Sequence, residues 1–306
     1  MDALGTKPGL GLRPTSLNFG GVVMRFVPAK MRHLVRRFDA VAPVLGRIGQ
    51  LEVRLARSPA EVKAAQQLRY RIFYEEMSAQ PSKFQKMTRR DRDGFDRYCD
   101  HLLVIDQSRT GPITERIVGT YRLMRSDAAA LAGGFYTAQE FDIGPMLARH
   151  KGKRFLELGR SCVLKEYRGK RTVELLWQGI WSYVLAHDID AMFGCASLAG
   201  TDPEALAARL AFLRENAAAP AEWHVRALPS RGTFLSSSVQ IADPRRALAD
   251  LPPLLKGYLR VGGYIGEGAV VDHQFGTTDV LVVLPRERIN PRYIGHYGAD
   301  AGRFAA

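Results

Sequence analysis

FLELGRSCVL, residues 155–164, is the stretch on which our prediction of the fold depends. Its apolar residues predict a buried strand, yet it carries Glu157 and Arg160. Burying an unpaired charge costs several kcal/mol, so two charges in such a strand indicate either a reaction site or a buried ion pair. Positions three apart lie on opposite faces of a regular strand. A β-bulge would bring both side chains to one side, and Gly159 is well placed to form one.

The segments on either side of this strand alternate between strand and helix patterns. Downstream, RTVELLWQGIWSYVLAH (171–187) has one apolar face at helical spacing, and AMFGCAS (191–197) predicts another strand. Upstream, LEVRLAR (51–57) predicts a strand, and Ser58-Pro-Ala-Glu61 has the form of a capping box that begins a helix to about residue 77. The remaining predicted elements are an antiparallel pair at 101–106 and 116–124, helices at 202–216 and 251–261, and two C-terminal strands before residue 285. This order predicts an α+β fold with a mixed, mostly antiparallel sheet flanked by helices.

The first 50 residues differ in character from the rest of the chain. They contain eight Lys or Arg residues against two Asp residues, a charge of +6. We predict a basic, partly disordered segment, with an amphipathic helix from about 29 to 41 that binds an anionic membrane surface. A helix packed on the domain and an Arg-rich transit peptide stay open as alternatives. The compact domain is then predicted to span 51–285, with a tail at 286–306.

The composition excludes several classes of protein. The 306 residues are 46% hydrophobic and carry a net charge of +13, so we expect a globular protein with an anionic partner, either lipid or an acidic carrier protein. Nucleic acid is not expected, because aromatic residues are not interleaved with the basic ones. Cys99, Cys162 and Cys195 form no CxxC or Cys/His cluster, so we expect no metal site and a reducing, cytosolic setting. No apolar stretch has the length of a transmembrane helix.

Four charged motifs occur along the predicted domain, and their order resembles a known family. They are Arg69-x-x-x-Phe73, Asp93-Gly-Phe-Asp96 within DRDGFD (91–96), Gly119-Thr-Tyr-Arg122 and Glu157-x-x-Arg160. This order is similar to that of acyl-homoserine-lactone synthases. It resembles more closely, over about residues 50–285, the ornithine N-acyltransferases, a family often labelled hemolysin-like. Both resemblances imply the fold of the GCN5-related N-acyltransferases (GNAT).

The resemblance implies a reaction and a role for each motif. A 3-hydroxyfatty or other fatty acyl group would pass from acyl-carrier protein to the α-amine of L-ornithine, giving a single-chain lyso-ornithine lipid. The phosphopantetheine of the carrier would be part of the donor, with no other cofactor. Glu157 and Arg160 would be catalytic, with Glu157 as the base. The substrate-binding residues would be Arg69, Phe73, Asp93, Asp96 and Arg122. Arg122 or Arg160 would hold the carboxylate, and Asp93 or Asp96 the side-chain ammonium.

The loop after the central strand predicts a phosphate site. Arg168-Gly169-Lys170-Arg171 lies between a strand and a helix, where backbone N–H groups and positive charge favour an anion. Only its Arg-Gly pair resembles the usual acetyltransferase loop, which suits the single phosphate of phosphopantetheine on acyl-carrier protein. A solvated basic turn is the alternative.

Other interpretations of the chain stay open. His101 and Asp106 match the H-x4-D motif of glycerolipid acyltransferases, but positions five apart on a strand point to opposite faces, so we do not expect them to act together. Another acceptor, such as S-adenosylmethionine, lysine or glutamine, and a non-enzymatic, membrane-active protein are the remaining alternatives. For the enzyme we expect a cytoplasmic location, peripheral at the inner face of the cytoplasmic membrane.

Overall fold

The computed structural model describes residues 38–234 and 241–289, all within one compact unit. The strands of this part are β1 (Val44–Ile48), β2 (Leu51–Leu55), β3 (Asp100–Asp106), β4 (Ile117–Arg125), β5 (Phe141–Asp142), β6 (Phe155–Val163), β7 (Ala191–Ala199), β8 (Arg226–Ala227), β9 (Gly232–Thr233), β10 (Tyr264–Ile265), β11 (Ala269–Asp272) and β12 (Thr277–Pro285). The α-helices are α1 (Pro59–Tyr70), α2 (Lys83–Thr88), α3 (Ile113–Arg116), α4 (Ser126–Ala132), α5 (Gly144–Arg149), α6 (Lys170–Ala186), α7 (Ala207–Ala217), α8 (Pro244–Ala249) and α9 (Pro253–Val261). Most of the predicted interfacial helix and most of the predicted tail lie outside the described residues.

Ten strands form one sheet in the order β1-β2-β3-β4-β6-β7-β12-β11-β9, with β10 paired beside β12. Every pair is antiparallel except β6–β7, which is parallel. β5 and β8 form a separate small sheet. The predicted α+β fold with a mixed, mostly antiparallel sheet is confirmed.

The edges of the domain extend beyond the predicted boundaries. β1 pairs with β2, so the sheet includes residues that the sequence analysis assigned to the N-terminal segment. Its strand pattern is weak because it contains Gly46, whose missing side chain leaves room for Gln178 of α6. At the other end, Arg286–Arg288 forms a 3-10 turn and Ile289 is buried. The first residues of the predicted tail therefore pack on the domain.

The helix predicted from Ser58 to about residue 77 has two parts. Ser58 accepts the backbone N–H of Glu61, as predicted, but the Glu61 carboxylate bonds to Arg54 and to the backbone N–H of Arg57, so the reciprocal bond of a capping box is replaced. The helix then continues as a π-helix over Arg71–Glu76. Such wider turns are frequent at functional sites.

Successive residues of β4 separate the two faces of the sheet. Tyr121 points to the face covered by α9, where its hydroxyl lies 2.8 Å from the hydroxyl of Tyr258. Arg122, the next residue, points to the opposite face and meets Asp93. α6 packs close to β2 and β3, since a Cβ at Gly179 would lie 2.8 Å from Val53. The charged motifs therefore meet on the face of β4 opposite α9.

None of the helices in the described ranges is both long enough and apolar enough to cross a bilayer.

Two helices differ from the sequence prediction. The helix predicted at 202–216 begins at Ala207, because the residues before it form turns, and the short helix α8 was not predicted.

Candidate active site

A β-bulge in β6 places Arg160. Thr120 pairs with Cys162 and Arg122 pairs with Gly159, so β6 has one residue more than β4 between these two pairs. Arg160 has a φ of 51°, a left-handed conformation that is uncommon for a residue with a side chain. The predicted bulge is present, and the strained residue is Arg160 rather than the neighbouring glycine. Arg160 and Glu157 now meet at one residue, Tyr136: the guanidinium of Arg160 lies 4.9 Å from its ring, and Glu157 accepts its N–H.

Three arginines and three aspartates form a buried ion-pair network beneath Tyr136. Arg69 contacts Asp91 and Asp96, each at 2.8 Å. Arg122 contacts Asp93 at 2.6 Å and Asp96 at 3.7 Å. Arg160 completes the network, with Asp91 at 3.4 Å and Asp93 at 3.6 Å. The three positive and three negative charges cancel, which is how a buried network of this size is tolerated.

This network also fixes the ionisation of its aspartates. Burial alone would raise the pKa of Asp96, but Arg69 and Arg122 outweigh burial and hold that pKa well below its usual range. Burial would likewise raise the pKa of Asp93, but the nearby Arg122 and Arg160 outweigh burial and lower that pKa. Both aspartates are therefore occupied by arginines of the protein. The predicted role of one of them as ligand of the substrate's ammonium stays a prediction, with these ion pairs against it.

Arg69 and Phe73 form the interior wall of the site. Arg69 is completely buried and also donates to the backbone carbonyl of Asp91 at 2.6 Å. Phe73, on the π-helix, packs edge-on against Phe275 with the ring centres 5.5 Å apart. Tyr74 beside it donates to Asp91 at 3.0 Å. Of these two predicted substrate-binding residues, Arg69 belongs to the ion-pair network, and Phe73 packs on Phe275, whose ring lies 5.0 Å from the guanidinium of Arg160.

Glu157 holds a turn of the backbone. Its carboxylate accepts the N–H of Tyr136 at 3.1 Å and that of Thr137 at 2.6 Å, and only 5% of the residue is exposed. These bonds cap the 3-10 turn Tyr136–Gln139. Both oxygens are thus engaged by amide groups, which leaves Glu157 poorly placed to accept a proton from a substrate. The predicted role of Glu157 as the base stays a prediction, with this geometry against it.

A cluster of three carboxylates, which the sequence analysis missed, lies next to this turn. Glu140, Asp272 and Asp279 have carboxylate oxygens within 4.8 Å of one another. Among the described residues none of the three has an ion-pair partner, and the thiol of Cys195 lies 3.3 Å from Glu140. Burial first, and then Asp279, raises the pKa of Glu140 to about 7. No positively charged side chain of the described residues therefore lies within ion-pair distance of the cluster, although Arg231 is near enough to oppose part of the rise in the pKa of Glu140.

A sequence signal for part of this cluster existed. Asp279 lies inside the apolar strand TTDVLVVLP of β12, a charge in a buried strand like that of Glu157. Burial raises the pKa of Asp279 as well. Glu140 follows the 3-10 turn and has no comparable signal, because polar and apolar residues alternate around it in the sequence.

Carboxylates also bind divalent cations, so assays of the cluster need a chelator control.

The two parallel strands separate beside the cluster. β6 and β7 pair only from Phe155–Ala191 to Glu157–Phe193. At the next position the ladder of paired residues has ended, but the two backbones are still close. A Cβ on Gly194 would lie 2.2 Å from the carbonyl oxygen of Leu158, so only glycine fits here. Beyond this point β6 pairs with β4 alone, which leaves its other edge free of backbone partners in the described sheet.

The predicted phosphate loop lies at the end of this free edge. Gly169 is the N-cap of α6 and provides no capping side chain, so the first N–H groups of a 17-residue helix are available to an anion. Lys170 and Arg171 are exposed beside them. Arg168 instead pairs with Glu76 of the π-helix, and one of its two hydrogen bonds is 2.9 Å long.

His101 and Asp106, which match the H-x4-D motif, have separate partners. The ring of His101 bonds to the carbonyl of Asp96, and Asp106 accepts the hydroxyl of Tyr167.

The sheet contains one parallel strand pair, which separates at a glycine, and a long helix with an uncapped N-terminus follows β6. These features define an N-acyltransferase of the GNAT class. Residues 68–178 match the family model described as an acetyltransferase (GNAT) domain. The predictions of this fold and of an N-acyltransferase are confirmed.

The chain belongs to the L-ornithine N(alpha)-acyltransferase family. It is 58% identical over 264 residues to the L-ornithine N(alpha)-acyltransferase of Rhizobium meliloti, which covers 86% of this chain and 89% of that protein. It is 54% identical over 267 residues to the protein of the same name from Brucella abortus, covering 87% and 94%. Among solved structures it is similar to an N-acyl amino acid synthase from uncultured soil microbes, with 13% identity, a TM-score of 0.42 and coverage of 80% and 93%.

Proposed function

We propose that this protein transfers a fatty acyl group from the thioester of acyl-carrier protein to the α-amine of L-ornithine, giving a single-chain acyl-ornithine. The names of its relatives support ornithine as the acceptor. The structural observation that carries the proposal is the carboxylate cluster of Glu140, Asp272 and Asp279, of which Glu140 and Asp279 are buried and none has an ion-pair partner among the described residues. Ornithine differs from most amino acids in bringing a second ammonium group.

The acceptor would span two oppositely charged parts of the site. Arg160 is the most exposed arginine of the ion-pair network, with 15% of its side chain accessible, so we assign it to the substrate's carboxylate. Its guanidinium lies 5.0 Å from the ring of Phe275, and the N–H of Phe275 bonds to Asp272. The arginine and the acidic cluster are therefore adjacent. Asp272 and Asp279 would hold the side-chain ammonium charged and unreactive.

Glu140 is the base that the structure favours. An α-amine near the peptide value of about 8 loses its proton more easily than a side-chain amine near 10.4, and a base is most effective when its pKa is close to the working pH. Glu140 has a pKa of about 7. In the proposed step Glu140 takes a proton from the α-ammonium, and the amine nitrogen attacks the thioester carbon. The new C–N bond forms and the C–S bond breaks; the nitrogen gives up its second proton to the departing sulfur, so that phosphopantetheine leaves as the thiol, and Glu140 later returns its proton to solvent.

The remaining elements would serve the donor. Backbone N–H groups on the free edge of β6 would stabilise the oxyanion of the tetrahedral intermediate. Lys170, Arg171 and the N-terminus of α6 would bind the phosphate and the acidic surface of the carrier. Apart from the phosphopantetheine of the donor, we propose no cofactor. The product partitions into bilayers, so we propose peripheral binding at an anionic membrane surface, aided by the basic segment at residues 1–50.

Mass spectrometry of the reaction products tests the proposal. Purified protein is incubated with 3-hydroxyacyl-carrier protein and, separately, ornithine, lysine, glutamine or S-adenosylmethionine, with and without a chelator. Acyl-ornithine is the expected product. A homoserine lactone, or no amide with any acceptor from folded protein, refutes the proposed reaction. Lysis of vesicles without a donor would favour the membrane-active alternative.

A matched substrate tests the role of the acidic cluster. Norvaline is ornithine without its side-chain amine, so it lacks the group that Asp272 and Asp279 would bind. We expect kcat/KM to be about 100-fold lower for norvaline, the range expected for a lost charge-assisted hydrogen bond. In the Asp279→Asn variant the preference for ornithine should shrink. An equal preference in variant and wild type places the side-chain ammonium elsewhere.

A further inference from the structure

The short helix α2 buries a polar side chain and exposes apolar ones. Its Gln85 is buried, whereas Phe84 is 51% exposed and Met87 is 76% exposed. Phe84 and Met87 are three residues apart and so lie on one face of the helix. A surface helix in a soluble protein normally buries its apolar side chains and exposes its glutamines. Among the described residues nothing covers the apolar face of α2, so this face is available to a partner.

This exposed apolar surface is concentrated and is accompanied by positive charge. Of seven large apolar side chains that are exposed in the described residues, three lie between residues 77 and 87: Met77, Phe84 and Met87. Lys83 and Lys86 flank Phe84 and are exposed, with no ion-pair partner in the described part of the chain. Lysine beside phenylalanine and methionine is the composition of a helix that lies in the interface of an anionic bilayer.

α2 is connected directly to the candidate active site. The side chain of Gln85 bonds to Tyr74, and Tyr74 donates to Asp91 of the ion-pair network. Just before α2, the N–H of Gln80 bonds to the carbonyl of Gln274, next to Phe275. The exposed face of α2 therefore lies close to the place where the acyl-amine product would form.

We propose that Phe84, Met87, Lys83 and Lys86 form a lipid-binding patch that inserts into the headgroup region of an anionic bilayer beside the active site. This inference rests on the proposed function, because that function makes a product which must enter a bilayer. The patch would hold the mouth of the site against the membrane, so that the acyl chain passes into lipid without crossing water. It is separate in sequence from the basic segment at residues 1–50, since it lies on α2.

Site-specific fluorescence in the full-length protein tests the patch without any acyl donor. Met87→Cys is labelled with an environment-sensitive thiol dye, and Leu248→Cys on α8, where Leu248 is 41% exposed, is the matched control. Labelling is selective, because burial raises the pKa of Cys99 and of Cys162 to about 12, and labelled wild-type protein reports any background from Cys195. The probe is vesicles of equal parts phosphatidylcholine and phosphatidylglycerol.

We expect a blue shift in dye emission at position 87, none at 248, and loss of the shift with phosphatidylcholine alone. An unchanged emission at position 87 while the protein sediments with the vesicles overturns the patch. A shift with acyl-carrier protein but not with vesicles also overturns it, and assigns α2 to the carrier.

Binding measurements on unlabelled protein supply a second readout. Phe84→Ser together with Met87→Ser should weaken vesicle binding at least about tenfold, since two apolar side chains no longer enter the interface. Replacing either lysine by glutamine should weaken binding about fivefold at low salt. Leu248→Ser should bind as wild type, and equal binding by all variants refutes the proposal. Acyl transfer in detergent solution, measured in parallel, tests the proposed reaction separately, so the failure of one can be told from the failure of the other.

Discussion

Replacing Glu140 by glutamine tests the acidic cluster through stability as well as activity. The pKa of Glu140 is raised by burial and then by Asp279, from an ordinary value of 4.5 to about 7. The folded state therefore binds the proton more tightly than the unfolded chain does. The resulting stabilisation is fully present below about pH 4.5 and is lost as the pH rises through about 7. A difference of this size corresponds to about 3 kcal/mol at about pH 8.

Glutamine has nearly the shape of the protonated acid and cannot ionise. We therefore expect the variant to match the wild type near pH 5 and to exceed its free energy of unfolding by up to about 3 kcal/mol near pH 8. The groups that face Glu140 stay in place: Asp279, Cys195, Arg231 and, more weakly, Asp272. Because the pKa of Asp279 is also raised, part of the pH dependence should remain in the variant.

Urea denaturation at a series of pH values measures this effect. Glu215→Gln is the control, since Glu215 is an exposed carboxylate on α7 and should leave the pH dependence unchanged. If the Glu140→Gln variant shows the full pH dependence of the wild type, Glu140 is not the group that titrates, and the reasoning fails.

Activity gives an independent result for the same variant. As the base, Glu140 must be ionised, so kcat/KM of the wild type should fall below about pH 7. The glutamine variant should lose about 100- to 10,000-fold in kcat while remaining folded. A variant that is stabilised at high pH and yet fully active would show that Glu140 is a buried acid without a role in proton transfer.

Three further substitutions test the geometry of the site. Gly194→Ala would place a Cβ 2.2 Å from the Leu158 carbonyl, so we expect a loss of more than about 2 kcal/mol by urea denaturation; wild-type stability would contradict the close approach of β6 and β7. Arg160→Lys keeps the charge but loses bidentate contact, so the KM for ornithine should rise about tenfold or more, with a lower melting temperature because Arg160 also pairs with Asp91 and Asp93; an unchanged KM in the folded variant would move the carboxylate elsewhere. Glu157→Gln should lower both thermal stability and activity, because an amide cannot accept two N–H groups through two oxygens; a stable but inactive variant would restore Glu157 as the base.

Much of the secondary structure follows from local patterns. The strand at 155–164 and the helix at 171–187 were predicted within one or two residues, because their apolar periodicity is long and regular. β1 was missed because Gly46 interrupts a short strand, and the π-helical end of the first long helix has no local signature. The order of the charged motifs was sufficient to indicate the family.

The assignment of roles depended on contacts between segments distant in sequence. Asp93 and Asp96 are equally suited, by residue type, to an ammonium ligand or to an arginine of the protein. Only the fold brings Arg69 and Arg122 to them and so occupies them. Glu157 likewise becomes the cap of a turn 20 residues away in the chain.

The sequence alone determined that this chain forms an α+β acyltransferase with a charged central strand, because hydrophobic periodicity and motif order are local properties of the chain. Only the tertiary structure decided which carboxylates come together. Glu140 meets Asp272 and Asp279, from which it is distant in sequence, and burial together with the nearby Asp279, both of which arise on folding, raises the pKa of Glu140.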